Sequence, residues 1–174
     1  MTMPRTSKRI PVSLRFHFTQ PFHASASAAF AWCISYEPED GAFFPERHLR
    51  TVEWMGEDAA ILTDTTFPQG RPVEIRRLVR INPEQLSWTN THLDGPYRHS
   101  QYWYRVVPRG PRASALEFTG HRLLWMTRRP PASTIRRLTA AERLADSTMW
   151  RTSIAPALDR ELAKSSSVRS IQTG

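Results

Sequence analysis

The chain has 174 residues, 40% of them hydrophobic, and its lysines and arginines exceed its acidic residues by 24 − 16 = 8. At this length one domain buries about 70% of the chain surface, so a single domain with its own core is expected. The only cysteine, Cys33, excludes an intrachain disulfide and a cysteine-built zinc site, and we expect it in the core. No stretch approaches the roughly 20 apolar residues of a membrane span and no signal peptide is evident, so a soluble, cytoplasmic protein is expected.

The first elements are a strand and a short helix. Residues 12–18 alternate apolar and polar, which predicts a half-buried strand. A short apolar helix follows from Ala28, capped by Ser25 and ending near Tyr36. Pro38, Gly41 and Pro45 interrupt the next segment, so residues 37–44 are predicted to be at most a short second helix or an irregular segment.

Six further strands are predicted between residues 47 and 126, each separated from the next by a turn. Proline, glycine and aspartate punctuate the intervening segments, as at Asp94-Gly95-Pro96. The links are too short for parallel crossovers, so neighbouring strands should be antiparallel. The predicted strands span 47–55, 59–67, 73–81, 86–93, 99–107 and 113–126.

A long helix is predicted at 139–164, after an extended connector at 128–133. Thr139 and Glu142 form a capping box that places its start. Pro156 predicts a kink near residues 152–153 or two helices in series. Arg143, Asp146, Asp159 and Arg160 lie away from the face predicted to be buried, which carries Ala141, Leu144, Thr148, Arg151, Ala155, Leu158 and Leu162. Residues 1–11 are predicted to be a flexible basic segment, 12–164 the single domain, and 165–174 a disordered tail.

Three stretches carry a resemblance to a known superfamily. They are the helix segment 22–32, the segment Leu86-Ser87-Trp88-Thr89-Asn90 after a Pro-Glu turn, and the aromatic strand Tyr102-Trp103-Tyr104. Together with the order of elements, they make residues 12–164 resemble the START-like superfamily, also called the helix-grip, Bet v 1-like or SRPBCC fold. Within it the chain looks most like the polyketide cyclase/dehydrase branch, although Ala26 stands where the family usually has proline.

The resemblance implies an α+β fold of order β-α-α-β6-α, in which a curved seven-stranded antiparallel sheet grips the C-terminal helix. It also implies an apolar cavity between sheet and helix for sterols, quinones, fatty acids or polyketides. Ligand cavities typically measure roughly 300 to 1,000 Å³. The small residues Ala141, Ala145 and Ala155 would leave room for such a space.

Binding without catalysis is the leading hypothesis, and a polyketide cyclase or dehydratase is the alternative. Alternation places the ligand-contacting residues on one face of the strands or helix, and a slip of one residue would invert that choice. If two neighbouring strands turn these side chains to the same face of the sheet, His92, Tyr102 and Tyr104 could act as the catalytic acid and base. The alternative is that they are ordinary residues of the sheet. The predicted ligand contacts are Arg77, Trp88, Asn90, Leu116, Phe118, Leu144, Thr148, Ala155 and Leu158.

Arg77 interrupts the alternation of its strand by lying on the apolar face. It is interpreted as an arginine at a sheet edge, with a hook for a ligand carboxylate as the alternative. No cofactor is expected, and no metal is expected because the spacing of His92, Asp94, His99 and His121 matches no metal motif.

The surplus of arginine raises the question of anionic partners. The arginines are dispersed along the chain as short pairs, and the sequence contains no nucleic-acid-binding motif. Nucleic acid is therefore disfavoured as a partner. Docking on RNA or on an anionic membrane, with delivery of a lipid or quinone, remains a third hypothesis. The sequence does not indicate an oligomeric state.

Overall fold

The computed structural model describes residues 9–36 and 48–171, with side chains as far as Lys164. The second helix considered for 37–44 lies outside these residues. No helix in the described ranges is both long and apolar enough to cross a membrane. The elements are β1 (Ile10–Phe22), α1 (Ala26–Cys33), β2 (His48–Trp54), β3 (Ala59–Thr66), β4 (Val73–Asn82), β5 (Ser87–His92), β6 (Gln101–Gly110), β7 (Ala113–Met126), α2 (Ala132–Met149), a π-helical turn (Trp150–Ile154) and α3 (Ala155–Ile171).

The seven strands form one antiparallel sheet in the order β1-β7-β6-β5-β4-β3-β2. The predicted seven-stranded antiparallel sheet with a long terminal helix is therefore confirmed. Strand β4 has a neighbour on each side. The interpretation of Arg77 as a residue at a sheet edge is therefore wrong.

The core lies between one face of the sheet and the helices α1 and α3. Alternating residues of β1 and β7 supply Phe16, Phe18 and Phe118, and α3 supplies Leu158. Gly120 is required here because a Cβ at its position would lie 2.6 Å from the Phe16 ring. Ser25 caps α1 as predicted, since its hydroxyl accepts from the amide of Ala28.

The long helix begins earlier than predicted. Pro131 precedes its first residue, Ala132, and the hydroxyl of Thr139 donates to the carbonyl of Ile135 inside the helix. The capping box at Thr139 and Glu142 is therefore wrong. A proline needs no amide partner at a helix start, so the Pro-Pro pair ends the extended connector and allows the helix to follow directly. At the other end the helical backbone continues to Ile171, beyond the predicted end at Lys164 and into the segment predicted to be disordered.

The helix changes its hydrogen-bonding pattern where Pro156 predicts an irregularity. The amide of Ala155 donates to the carbonyl of Trp150, five residues back, within a π-helical turn. Pro156 has no amide to donate to the preceding turn. The extra residue in this turn rotates the buried face by about 100° relative to a continuous α-helix.

This rotation explains why only the part of the predicted apolar stripe that follows the π-turn is buried. After the π-turn, Ala155 and Leu158 are buried as expected. Before it, Ala141, Ala145 and Leu144 face solvent, with Leu144 64% exposed. The half-buried side of α2 carries instead Ile135, Leu138, Glu142, Asp146 and Met149.

Candidate ligand-binding cavity

A cavity of about 300 Å³ lies between the sheet and the helices. Seven residues singled out in the sequence line it: Arg77, Trp88, Asn90, His92, Tyr102, Tyr104 and Phe118. The faces of β5 and β6 coincide as their alternation suggested, because Trp88 pairs with Tyr104 and Asn90 with Tyr102. The residues missed by the sequence analysis are Trp32, Cys33, Tyr36, His48, Arg50, Asp64, Thr66, Ile75, Tyr97, Arg122, Asp146, Met149, Trp150 and Ile154.

Five predicted ligand contacts do not line this cavity. Leu116, Ala155 and Leu158 are buried in the core beside it. Thr148 is half-buried on α2 without reaching the cavity, and Leu144 points to solvent. The π-turn rotates the inward face of α2 relative to that of α3. The residues that reach the cavity are therefore Asp146 and Met149 of α2 and Trp150 and Ile154 of the π-turn.

Aromatic rings form one wall of the cavity. Trp88 and Tyr104 are neighbours across β5 and β6 and stack with ring centroids 4.7 Å apart and only 2° between their planes. Phe118 meets Tyr104 edge-on at 5.0 Å. Such a wall offers flat apolar surface, which favours stacking with a flat ligand.

A buried ion cluster forms the end of the cavity nearest the edge strand β2. Asp64 accepts from Arg50 Nε at 2.8 Å, contacts His48 Nε2 at 2.7 Å, and pairs with Arg77. Burial, followed by the charges of Arg50 and Arg77, lowers the pKa of His48 to about 4 despite its contact with Asp64. Arg77 Nε has no hydrogen-bond partner among the described residues, so this end of the cavity favours an electron-rich ligand atom.

A second ion cluster joins α2 to the sheet. Arg122 donates from Nε to the Tyr102 hydroxyl at 2.8 Å, pairs with Glu142, and lies 3.5 Å from Asp146. Burial and the nearby Glu142 raise the pKa of Asp146 to about 6, against the opposing effect of Arg122. The guanidinium of Arg122 also lies 4.7 Å from the ring centre of Tyr97.

Four buried polar atoms on the cavity wall have no hydrogen-bond partner among the described residues. They are the Tyr36 hydroxyl, Arg77 Nε, Asn90 Oδ1 and His92 Nδ1. Burial lowers the pKa of His92 to about 3, with Arg77 and Arg122 acting in the same direction, so its ring is neutral near pH 7. A buried polar atom without a partner costs about 1 to 3 kcal/mol, so four around one space are an unusual concentration.

The tyrosines of this wall differ in their surroundings. Burial raises the pKa of Tyr36 and of Tyr104, so both keep their protons at neutral pH. Asn90 Nδ2 donates to the Tyr104 hydroxyl at 3.4 Å, which leaves the Tyr104 hydrogen for another acceptor. Tyr36 also adopts a left-handed backbone conformation, with φ of 49°, which is uncommon for a bulky residue.

In the described ranges of the chain, no group of three or more histidine, cysteine, aspartate or glutamate side chains is placed to hold a metal ion. The cavity offers hydrogen-bonding groups, among them the unpartnered Nε of Arg77, and aromatic surface. These groups can orient a flat molecule that carries both donors and acceptors.

Comparison with known proteins identifies the fold. No family model matches the sequence, and no curated protein matches it. Among solved structures, the Zhui aromatase/cyclase from Streptomyces sp. R1128 is similar at a TM-score of 0.69 and 11% identity, over 87% of this chain and 96% of that chain.

Two further structures are similar over most of their length. Norcoclaurine synthase from Thalictrum flavum, in complex with dopamine and hydroxybenzaldehyde, gives a TM-score of 0.62 at 11% identity over 94% of each chain. A START superfamily protein from Mycobacterium smegmatis gives 0.55 at 15% identity, over 78% of this chain and 94% of that chain. The chain thus has the helix-grip fold of these structures, which the resemblance predicted.

Proposed function

We propose that the protein binds, without covalent chemistry, a flat and oxygen-bearing hydrophobic molecule of the polyketide or phenolic class in this cavity. The observation that carries the proposal is the set of four unpartnered polar atoms around an apolar space. Tyr36 and Arg77 supply donors, and Asn90 supplies an acceptor. A ligand with hydroxyl and carbonyl groups would satisfy these atoms and so recover their desolvation cost.

The shape and charge of the cavity narrow the ligand class. The stacked pair Trp88 and Tyr104 favours a flat ring system over a flexible acyl chain. The unpartnered Nε of the buried Arg77 favours a carbonyl oxygen or an ionised phenol at that end. A plain hydrocarbon or sterol would leave the unpartnered atoms of the wall unsatisfied, so it fits less well.

The similar structures support this class. One is an aromatase/cyclase, and another was solved with dopamine and hydroxybenzaldehyde, which are small oxygen-bearing aromatic molecules. At 11% identity these likenesses concern the fold, so the class rests on the cavity of this chain and agrees with the molecules bound in one of the two structures.

A cyclase or dehydratase reaction is the second candidate. Its supporting observation is that His92, Tyr102 and Tyr104 all line the cavity, with the rings of His92 and Tyr102 centred 5.4 Å apart. The lowered pKa of His92 makes it a weak base and the raised pKa of Tyr104 makes it a weak acid. Both are better suited to hold a ligand than to transfer protons near pH 7, which places catalysis second.

Substituting Tyr36 by phenylalanine should weaken ligand binding without weakening the fold. The lost hydroxyl would reduce affinity about 3- to 10-fold, the value of one hydrogen bond. The unfolding free energy should stay constant or rise slightly, because a buried unpartnered hydroxyl disappears. Affinity is measured for the dihydroxyanthraquinone alizarin by quenching of tryptophan fluorescence, since Trp32, Trp88 and Trp150 line the cavity.

Tyr102→Phe is the matched control, because its hydroxyl already accepts from Arg122. This variant should lose about 1 to 2 kcal/mol of stability. Unchanged affinity together with lowered stability in Tyr36→Phe would contradict the proposed role of Tyr36. Cyclisation or dehydration of a poly-β-ketone surrogate by the wild-type protein, lost in His92→Ala, would instead favour the second candidate.

A further inference from the structure

A second concavity lies between the edge strand β1 and helix α2. It measures about 370 Å³ and shares no residue with the cavity described above. Its walls come from Arg15, Phe16 and His17 on one side and from one side of α2 on the other, namely Ile135, Arg136, Thr139, Ala140 and Arg143. We call it the β1–α2 cleft.

The β1–α2 cleft is lined by cations without compensating carboxylates. Arg15, Arg136 and Arg143 are exposed, and none of them forms an ion pair with a carboxylate in the described part of the chain. Neither aspartate nor glutamate lines the cleft. Three guanidinium groups around one concavity create a positive potential that attracts anions.

The position of the nearest acidic residues explains this imbalance. Between residues 127 and 145 the only acidic residue is Glu142, among five arginines, and it turns to the sheet to pair with Arg122. Asp146, just beyond, faces the same arginine. The inward ion cluster thus removes both carboxylates of α2 from the surface that carries Arg136 and Arg143.

The cleft also has an apolar component. On the α2 side Ile135 is half-buried and Ala140 is exposed, whereas Phe16, at 6% exposure, contributes little accessible surface. A ligand of this cleft therefore meets hydrocarbon surface as well as guanidinium groups. This combination suits an amphipathic anion better than a small hydrated ion.

We propose that the β1–α2 cleft is a binding site for an organic phosphate, with the phosphate among Arg15, Arg136 and Arg143 and its hydrocarbon part against Ile135 and Ala140. Guanidinium groups bind phosphate oxygens in a bidentate manner, and a phosphate offers enough oxygens for several of them. The site goes beyond the proposed function, because it neither uses nor requires the cavity.

Calorimetric titration with octyl phosphate, below its micelle concentration, tests the site. The Arg136→Gln/Arg143→Gln variant should bind at least about tenfold more weakly than the wild type, since two charge-assisted contacts are lost. The control Arg105→Gln/Arg137→Gln removes the same charge from exposed positions outside the cleft and should stay within about twofold of the wild type. Octyl glucoside, which has the same chain without the phosphate, should bind at least about tenfold more weakly.

Co-sedimentation with vesicles distinguishes the two sources of such a phosphate. Wild-type binding to phosphatidylcholine vesicles containing phosphatidylglycerol, lost in the Arg136→Gln/Arg143→Gln variant, would assign the site to a lipid headgroup. Octyl phosphate binding without vesicle binding would assign it to a soluble organic phosphate. Equal weakening in both arginine variants, or no binding of octyl phosphate by the wild type, would overturn the proposal.

Discussion

Replacing Asp64 by asparagine is expected to lower the free energy of unfolding by about 3 to 5 kcal/mol. Asp64 is the carboxylate of the cluster that holds Arg50, Arg77 and His48, and its side chain is 6% exposed. Asparagine keeps the shape but removes the charge that compensates two buried guanidinium groups. Desolvated cations without a counter-charge are among the most costly groups in a protein interior. Urea denaturation followed by fluorescence measures the loss.

Glu117→Gln is the matched control for this charge removal. Glu117 lies 3.9 Å from Arg109, and both side chains are about half exposed. An exposed pair of this kind contributes less than about 1 kcal/mol. Equal effects of the two substitutions would contradict the buried ion cluster as a stabilising feature of the cavity.

Lowering the pH from 7 to 5 is expected to reduce the unfolding free energy by about 2 to 3 kcal/mol. The pKa of His92 is lowered to about 3 and that of His48 to about 4 in the folded protein. Below pH 6.5 the unfolded chain therefore takes up protons on both histidines while the folded protein does not. Each histidine contributes about 2 kcal/mol to the loss at pH 5.

Asp146 opposes this trend. Its folded pKa is raised to about 6, so between pH 6 and 4 the folded protein takes up a proton that the unfolded chain still lacks. This uptake returns about 1 kcal/mol at pH 5, which gives the net value above. Urea denaturation at a series of pH values measures the sum.

Two histidine variants separate the buried groups from the rest. His92→Gln should remove about 2 kcal/mol of the pH dependence, because the buried ring no longer competes for a proton. His48→Gln should likewise remove about 2 kcal/mol of the pH dependence, because its folded pKa is also lowered. Stability that rises from pH 7 to pH 5 would contradict the burial of His48 and His92.

The strands could be predicted because their alternation is strong and their turns are marked. The predicted 113–126 coincides with β7 (Ala113–Met126), and the predicted 59–67 differs from β3 (Ala59–Thr66) by one residue. The start of the long helix could not be placed by its capping pattern, because the Pro-Pro pair near Ala132 determines it and Glu142 is used by Arg122. The face of α2 was wrong because a π-turn leaves no periodic signal in an α-helical pattern.

The cavity could be predicted only where its residues obey alternation. Trp88, Asn90 and Tyr104 were found in this way. Asp64 and Asp146 were missed because an acidic residue on an inward face contradicts the expectation that apolar residues are buried, unless its arginine partner is known. Asp64 lies on the buried face of β3 with Ala60 and Leu62, and Arg77 lies on the buried face of the neighbouring strand β4. Two opposite charges on the apolar faces of adjacent strands could have indicated a buried ion pair.

Tyr36 could not have been found from the sequence. It follows α1 without any periodic pattern, and its left-handed backbone is visible only in the structure. Arg122 was missed for a related reason, since it lies on a long strand whose C-terminal half is half-buried throughout and gives no clear alternation.

Native mass spectrometry of the freshly purified protein, before and after addition of alizarin, tests the cavity as a ligand site most directly. An Ile154→Trp variant fills the cavity from the π-turn, and Leu144→Trp adds the same side chain on the exposed face of α2. Circular dichroism establishes that both variants are folded. We expect one bound molecule, either co-purified or added, in the wild type and in Leu144→Trp, and none in Ile154→Trp. A wild-type protein without any bound molecule, or equal binding by all three proteins, would contradict the account.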